Sequence, residues 1–199
     1  ALGRIEVVCF DKTGTLSENR LRVSQVHPAD GHSREEVLRC AVHAAPASNG
    51  DAHVHATDVA IVEAATAAAS DGDRTSPAPT AHLPFRSGRS FSASVTGTEL
   101  TVKGAPEVVL AACGDSGSMQ GTVAELAAGG LRVIAVAHRR LNQQQARAIA
   151  ENPDDIAQYC AGGLTLAGFL GLSDTPRAEA AGLLADLGGL GIGVKLITG

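Results

Sequence analysis

Aromatic side chains are scarce in this chain: 199 residues hold no tryptophan, one tyrosine and four phenylalanines. Any core must therefore rest on alanine, valine and leucine, which carry most of the 44% apolar content. Such a composition suits helices and strands with a modest core and argues against disorder over most of the length. No apolar stretch reaches the length of a membrane-spanning helix, and the first residues lead almost at once into a strand rather than a targeting sequence. Basic charge is in deficit, 16 Lys and Arg against 21 Asp and Glu. The two signs are intermixed, so there is neither a basic stripe for a nucleic-acid backbone nor a polybasic patch for anionic lipid. The four cysteines, Cys9, Cys40, Cys113 and Cys160, lie far apart with no C-x-x-C pair. This spacing disfavours a disulfide framework and a thiolate metal site, and fits reduced cytosolic thiols.

Against these absences stands one dense segment, Asp11-Lys12-Thr13-Gly14-Thr15-Leu16, directly after the apolar run Ile5-Glu6-Val7-Val8-Cys9-Phe10. The run predicts a buried strand. An open α/β sheet places its chemistry at the carboxyl end of such a strand. A carboxylate there can attack the terminal phosphorus of ATP and become an aspartyl-phosphate. Lys12 brings positive charge, Thr13 and Thr15 bring hydroxyl and backbone donors, and Gly14 lets the backbone approach closely.

The remaining pattern predicts a module inserted between two pieces of another domain. Ser33 and Glu36 form a capping box ahead of a helix through Val42, and a second helix is expected from Thr57 to about Ala69. A loop rich in Asp, Gly, Ser, Thr and Pro follows over 70–81. Phe91 to Val95 and Leu100 to Lys103 predict a hairpin turning at Thr96-Gly97, and Pro106 opens a short helix. Further helices are expected near 122–128, 142–150 and 177–187, with strands at 131–137, 164–172 and 194–197. Residues 1–20 and 173–199 would then form part of a doubly wound domain whose parallel strands are linked by a right-handed crossover. Residues 21–172 would be a separate α/β module. A core strand that runs into the chain end predicts a piece of a longer polypeptide.

Several further groups could meet a nucleotide. Lys103-Gly104 sits between a strand and a helix start that favours anions. Phe85 offers a face for stacking and Arg89 a fork for phosphate, although core and surface roles are the commoner fates of these two types. Asp58 suits the first turn of its helix, Arg132 a strand start, and Asp174 a helix cap ahead of Pro176. Of the seven histidines, His53 and His55 are read as solvated, because two ligands do not complete a zinc site.

Asp-Lys-Thr-Gly-Thr-Leu resembles the phosphorylation motif of the P-type ATPases, and four other segments, with the start of a fifth, recur in that family's order. Lys103-Gly104-Ala105-Pro106-Glu107 is similar to its nucleotide-domain Lys-Gly-Ala motif. The Phe85 to Ser90 segment resembles Phe-x-Ser-x-Arg, with Ser90 where a lysine usually follows. Thr57-Asp58-Val59-Ala60 resembles Pro-Thr-Glu-x-Ala, with Ala56 in place of the proline. Asp174-Thr175-Pro176-Arg177 resembles the Asp-x-Pro-Arg hinge, and Thr198-Gly199 the start of Thr-Gly-Asp. The resemblance implies an antiparallel nucleotide-binding domain inserted into a partial haloacid-dehalogenase-like phosphorylation domain of a type II-like cation pump. It implies ATP bound by Asp58, Phe85, Arg89, Lys103, Gly104, Arg132, Asp174, Thr198 and Gly199. Catalysis would fall to Asp11, Lys12 and Thr13, with Mg²⁺ on Asp11 and the Thr13 carbonyl. The rest of the pump, including the membrane helices that hold the transported cation, would belong to the same polypeptide, with this segment on the cytoplasmic side of the cell membrane. Because the family's Gly-Asp-Gly-x-Asn-Asp segment is absent from these residues, weak nucleotide binding without turnover is expected of them alone. Two other readings stay open: a degenerate regulatory pump domain, and a haloacid-dehalogenase-type phosphatase, which usually carries a second aspartate where Thr13 stands.

Overall fold

The computed structural model describes residues 5–11, 15–45, 55–69, 78–114 and 119–197. Lys12, Thr13, Gly14, His53, Thr198, Gly199 and most of the loop expected over 70–81 lie outside the described residues. In chain order the elements are β1 (Val7–Asp11), β2 (Ser17–Pro28), α1 (Arg34–His43), α2 (Ala56–Ala68), β3 (Ala81–Leu83), β4 (Phe91–Thr96), β5 (Glu99–Gly104), α3 (Pro106–Cys113), α4 (Gln120–Ala128), β6 (Arg132–Arg140), α5 (Gln143–Glu151), α6 (Ile156–Tyr159), β7 (Thr165–Pro176), α7 (Ala180–Gly189) and β8 (Gly193–Ile197). They divide into two compact units, 1–22 with 174–199 and 23–173. The division falls inside β2 and β7.

In the terminal unit, β1 and β8 pair in parallel, with Asp11 opposite Ile197. The central unit is built on a six-stranded sheet of order β2-β7-β6-β5-β4-β3, antiparallel from β3 through β7. Alternation along the strands gives this sheet two different faces. One carries Ala93, Val95, Leu100, Val102, Ala135 and Ala137, packed with Val109, Leu110, Leu126, Ile149 and Ile156 from the helices and with Phe169. Fully burying a side chain such as Phe169 or Ile149 contributes roughly 1.5–3 kcal/mol. The other face carries Ser92, Ser94, Thr101 and Lys103, all buried, and α1 lies against it. The Ser92 hydroxyl donates to the Ala44 carbonyl at 2.9 Å, and that of Ser94 donates to His43 O. These two serines satisfy carbonyls that the end of α1 leaves without helical partners.

Local chemistry explains the element ends. Both bonds of the Ser33–Glu36 capping box are present, at 3.2 and 2.7 Å, and Asn142 with Gln145 forms a second box that starts α5. Pro106 occupies the first turn of α3, and Gly114 closes it at φ 74°.

Four elements differ from expectation. β2 falls where no strand is expected between the first strand and the Ser33 helix, because its polar sequence is that of an edge strand rather than a buried one. β3 and α6 are too short to leave a periodic signature. The helix expected from Arg177 begins at Ala180, since the Arg177 N–H is held by the Leu16 carbonyl at 3.0 Å and the chain stays extended through Pro176. The hairpin loop is Gly97-Thr98, one residue beyond the expected turn, with Thr96 paired to Glu99.

The β6–β7 ladder slips between Val136 and Ala137, where Val136 faces Gly168 and Ala137 faces Leu166. A Cβ on Gly168 would lie 2.4 Å from the His27 carbonyl oxygen and 3.0 Å from a Val37 methyl. Gly168→Ala is therefore expected to lower stability by about 2–3 kcal/mol in urea unfolding. Gly162→Ala, which meets nothing within 4 Å, should leave the midpoint unchanged. Equal midpoints for the two variants would refute the packing argument.

Candidate functional site

The polar face of the central sheet gathers the charged residues. Ser92 on β4 stands directly opposite Lys103 on β5, and Lys103 Nζ donates to Ser92 Oγ at 2.8 Å. The same ammonium pairs with Asp58 Oδ1 at 2.7 Å. Asp58 lies in the first turn of α2, and both residues are nearly inaccessible, Lys103 at 6% and Asp58 at 5% exposure. One lysine thus joins the start of α2, the hairpin and, through Ser92, the end of α1. Burial pulls the Lys103 ammonium below its ordinary pKa, while the charge and hydrogen bond of Asp58 oppose that shift. Gly104 follows because the chain has no room there: a Cβ would fall 2.4 Å from Ser90 O and 2.5 Å from Phe91 Cβ.

Phe85 occupies the connection between β3 and β4 and leaves 49% of its surface in solvent. Its ring meets that of His55 edge-on, centroids 5.7 Å apart, and His55 is the residue that caps α2. Solvated His55 is thus also an aromatic partner of Phe85. Arg89 turns its Nη2 onto the Pro84 carbonyl at 2.6 Å, stapling the turn that carries Phe85. Its Nε is buried without a hydrogen-bond partner, and so is Nε2 of His82 on β3. Burial lowers the His82 pKa, helped by the Lys103 and Arg89 charges and opposed by Asp58. Arg132 is exposed at the start of β6, on the Lys103 face by strand alternation.

In the terminal unit, Asp11 ends β1 and is exposed. Asp174 caps no helix. Its carboxylate accepts from Ser17 Oγ and from the Arg20 N–H at 2.9 Å, while Thr175 Oγ1 donates to Arg20 O at 3.1 Å. Of the residues expected to form a site, Asp58, Lys103 and Gly104 come together. Phe85 stands beside His55 at the start of the Asp58 helix, Arg89 is held in its own turn, and Lys12, Thr13, Thr198 and Gly199 lie outside the described residues. His55, His82 and Ser92 were not foreseen as partners. Ser92 had a signal, because the hairpin register places it opposite Lys103, whereas His82 had none. Among the described residues no three His, Cys, Asp or Glu groups are arranged to hold a metal ion, and no helix is long and apolar enough to cross a membrane.

Residues 37–179 match the model of the P-type ATPase cytoplasmic domain N. The chain belongs to the P-type ATPases. Across its whole length it is 38% identical to the probable cation-transporting ATPase I of Mycobacterium tuberculosis, covering 14% of that protein. It is 32% identical to the zinc/cadmium/lead-transporting P-type ATPase of Escherichia coli, covering 22% of that protein. A crystal structure of a zinc-transporting PIB-type ATPase in the E2.Pi state superposes with a TM-score of 0.62 at 28% identity, over 99% of this chain and 26% of the other. The chain therefore spans only a minor part of the length of these P-type ATPases, and its antiparallel central unit fits the nucleotide-binding domain of the family.

The buried pair makes a stability prediction. Lys103→Ala leaves the Asp58 carboxylate buried alone and is expected to cost about 3–5 kcal/mol. The double variant Asp58→Ala/Lys103→Ala should cost less than the sum of the single variants in urea unfolding, and additive costs would show that the two groups do not interact. A second prediction concerns pH. With a folded pKa below 6.5, His82 binds fewer protons folded than unfolded in the interval up to that value. Stability must then rise with pH across the interval, and the contribution levels off at more acid pH, where both states bind the proton. His82→Gln should flatten this slope just below pH 6.5, and an unaltered slope would exclude His82 as a contributor.

Proposed function

We propose that this chain is the ATP-binding domain, with part of the phosphorylation domain, of a membrane pump that moves a cation through an aspartyl-phosphate at Asp11. The observation that carries the reading is the buried Lys103–Asp58 pair beside Gly104, with Phe85 and His55 presenting rings to solvent at the start of the same helix. An exposed aromatic ring suits adenine stacking, and Asp58 can accept from an exocyclic amino group. Orphaned donors and acceptors fit a polar ligand, and the buried Nε atom of Arg89 and Nε2 of His82 are two such groups near the pair. Gly104, Arg89 and Arg132 are proposed as further nucleotide contacts, the two arginines toward phosphate.

For the terminal unit, Asp11 at the carboxyl end of a parallel strand suits the phosphoryl acceptor, with Lys12 and Thr13 as its catalytic neighbours. A hard carboxylate oxygen suits Mg²⁺, with the Thr13 carbonyl as the second ligand. Bound ATP and Mg²⁺ would supply the phosphoryl group and neutralise its charge. Asp174, Thr198 and Gly199 are proposed to border this region. Parallel sheets are normally covered on both faces by helices, so the exposed Val7, Leu196 and Ile197 support a covering layer of helices on a haloacid-dehalogenase-like sheet in the parent protein. The transported cation, held by membrane helices, and a cytoplasmic position for these residues belong to the same proposal.

Binding should be weak, because Asp58 already neutralises Lys103. In an NMR titration with ATP, shifts are expected at His55, Asp58, Phe85 and Lys103. Phe85→Ala should weaken binding about tenfold, the scale of one base–aromatic stack, without changing stability. No shifts at millimolar ATP from the folded protein would sink the nucleotide reading and favour a regulatory domain that has lost its ligand.

A further inference from the structure

The same polar sheet face holds a second constellation, at its α1 end, that the nucleotide reading does not use. His138 on β6 stands opposite Thr101 on β5, one pair beyond Lys103 on that face. Its Nε2 faces Nε2 of His32, in the turn before α1, at 3.0 Å. The rings meet edge-on with centroids 5.3 Å apart. Both side chains are half-buried and reachable from solvent.

Two observations bear on what two facing imidazoles can do. First, nitrogens bound to one tetrahedral zinc at about 2.0–2.1 Å stand about 3.3 Å apart, so the two Nε2 atoms need to separate by only a few tenths of an ångström. Second, His32 Nδ1 lies 3.3 Å from the Asp30 carbonyl. An Nδ1–H donated there leaves the lone pair on Nε2 and orients the ring, as backbone carbonyls do behind metal-bound histidines. The surrounding charges oppose one another. Glu99 and Glu36 favour a cation at His138 and Arg39 disfavours one, but Arg39 is itself paired with Glu99 at 3.3 Å.

We propose that His32 and His138, whose Nε2 atoms already face each other, form an open two-imidazole site for a borderline transition-metal cation such as Zn²⁺; two protein ligands do not make a complete zinc centre, and water fills the remaining positions. In the metal-free pair one Nε2–H donates to the other Nε2. Metal binding requires both lone pairs, so His138 carries its proton on Nδ1 instead, a change of tautomer without net charge. The site stands apart from Lys103 and Asp58 and does not depend on nucleotide binding.

The test is a titration of the folded chain with Zn²⁺, followed through the two-bond ¹H–¹⁵N correlations of the imidazole rings. The Nε2 signals of His32 and His138 should move first and together, ahead of those of the other histidines. Calorimetric Zn²⁺ affinity should fall about tenfold or more in His32→Gln and in His138→Gln, while Phe85→Ala leaves it unchanged. Zn²⁺ moving other histidines first, the same affinity in the His32→Gln/His138→Gln double variant, or no binding at millimolar Zn²⁺ would each overturn the proposal. The imidazole spectrum of the unsubstituted protein decides the matter even if a variant folds poorly.

Discussion

The ammonium of Lys103, buried against the Asp58 carboxylate, is the contact on which the polar side of the central unit depends. Removing either ion from water costs several kcal/mol, and a single partner with a second hydrogen bond is what makes the arrangement tolerable. Lys103 finds both, Asp58 at 2.7 Å and Ser92 at 2.8 Å. Ser92 in turn holds the carbonyl that ends α1. Two helix ends and a hairpin are thereby tied to one charge. A hydrophobic replacement of matching volume would often be as stable as such a pair, so stability alone is a poor reason for an ion pair in this position.

The two faces of the sheet divide the labour. The apolar face, with Val95, Leu100, Val102 and Phe169, supplies the burial that holds the unit together in a chain with few aromatics. That leaves the opposite face free to carry Ser92, Ser94, Thr101, Lys103 and His138, each matched to a helix terminus, a carboxylate, a hydroxyl or another ring. Because buried polar groups must be paired, this face also helps fix where α1 ends and α2 begins. Two groups nearby, Nε2 of His82 and Nε of Arg89, remain buried and unmatched, and they are the places where a polar ligand has something to gain.

Much of this was legible in the residues. The Ser33–Glu36 box, Pro106, the Gly97 turn and the alternation of β4 and β5 act over a few residues, and each appears in the fold. The Asp-Lys-Thr-Gly-Thr-Leu and Lys-Gly-Ala motifs pointed to the family to which the chain belongs. Less was legible where pairing partners are distant in sequence. β2 leaves no strand signature in the sequence because an edge strand needs no apolar alternation. The start of α7 was displaced by a bond from Arg177 to Leu16, 161 positions earlier.

By itself, then, the sequence determined the local elements and the chemical types at the site: a strand ending in Asp11, a lysine and a glycine at the end of a strand, an acid at a helix start and an aromatic in a turn. These follow from backbone propensity and from motifs of adjacent residues. Only the tertiary structure decided that Lys103 is neutralised by Asp58, that Arg89 closes its own turn, that Asp174 bonds Ser17 rather than a helix, and that His32 faces His138. Each of those outcomes is a choice of partner across tens of residues. It is settled by which buried polar groups the packed chain brings within hydrogen-bonding reach.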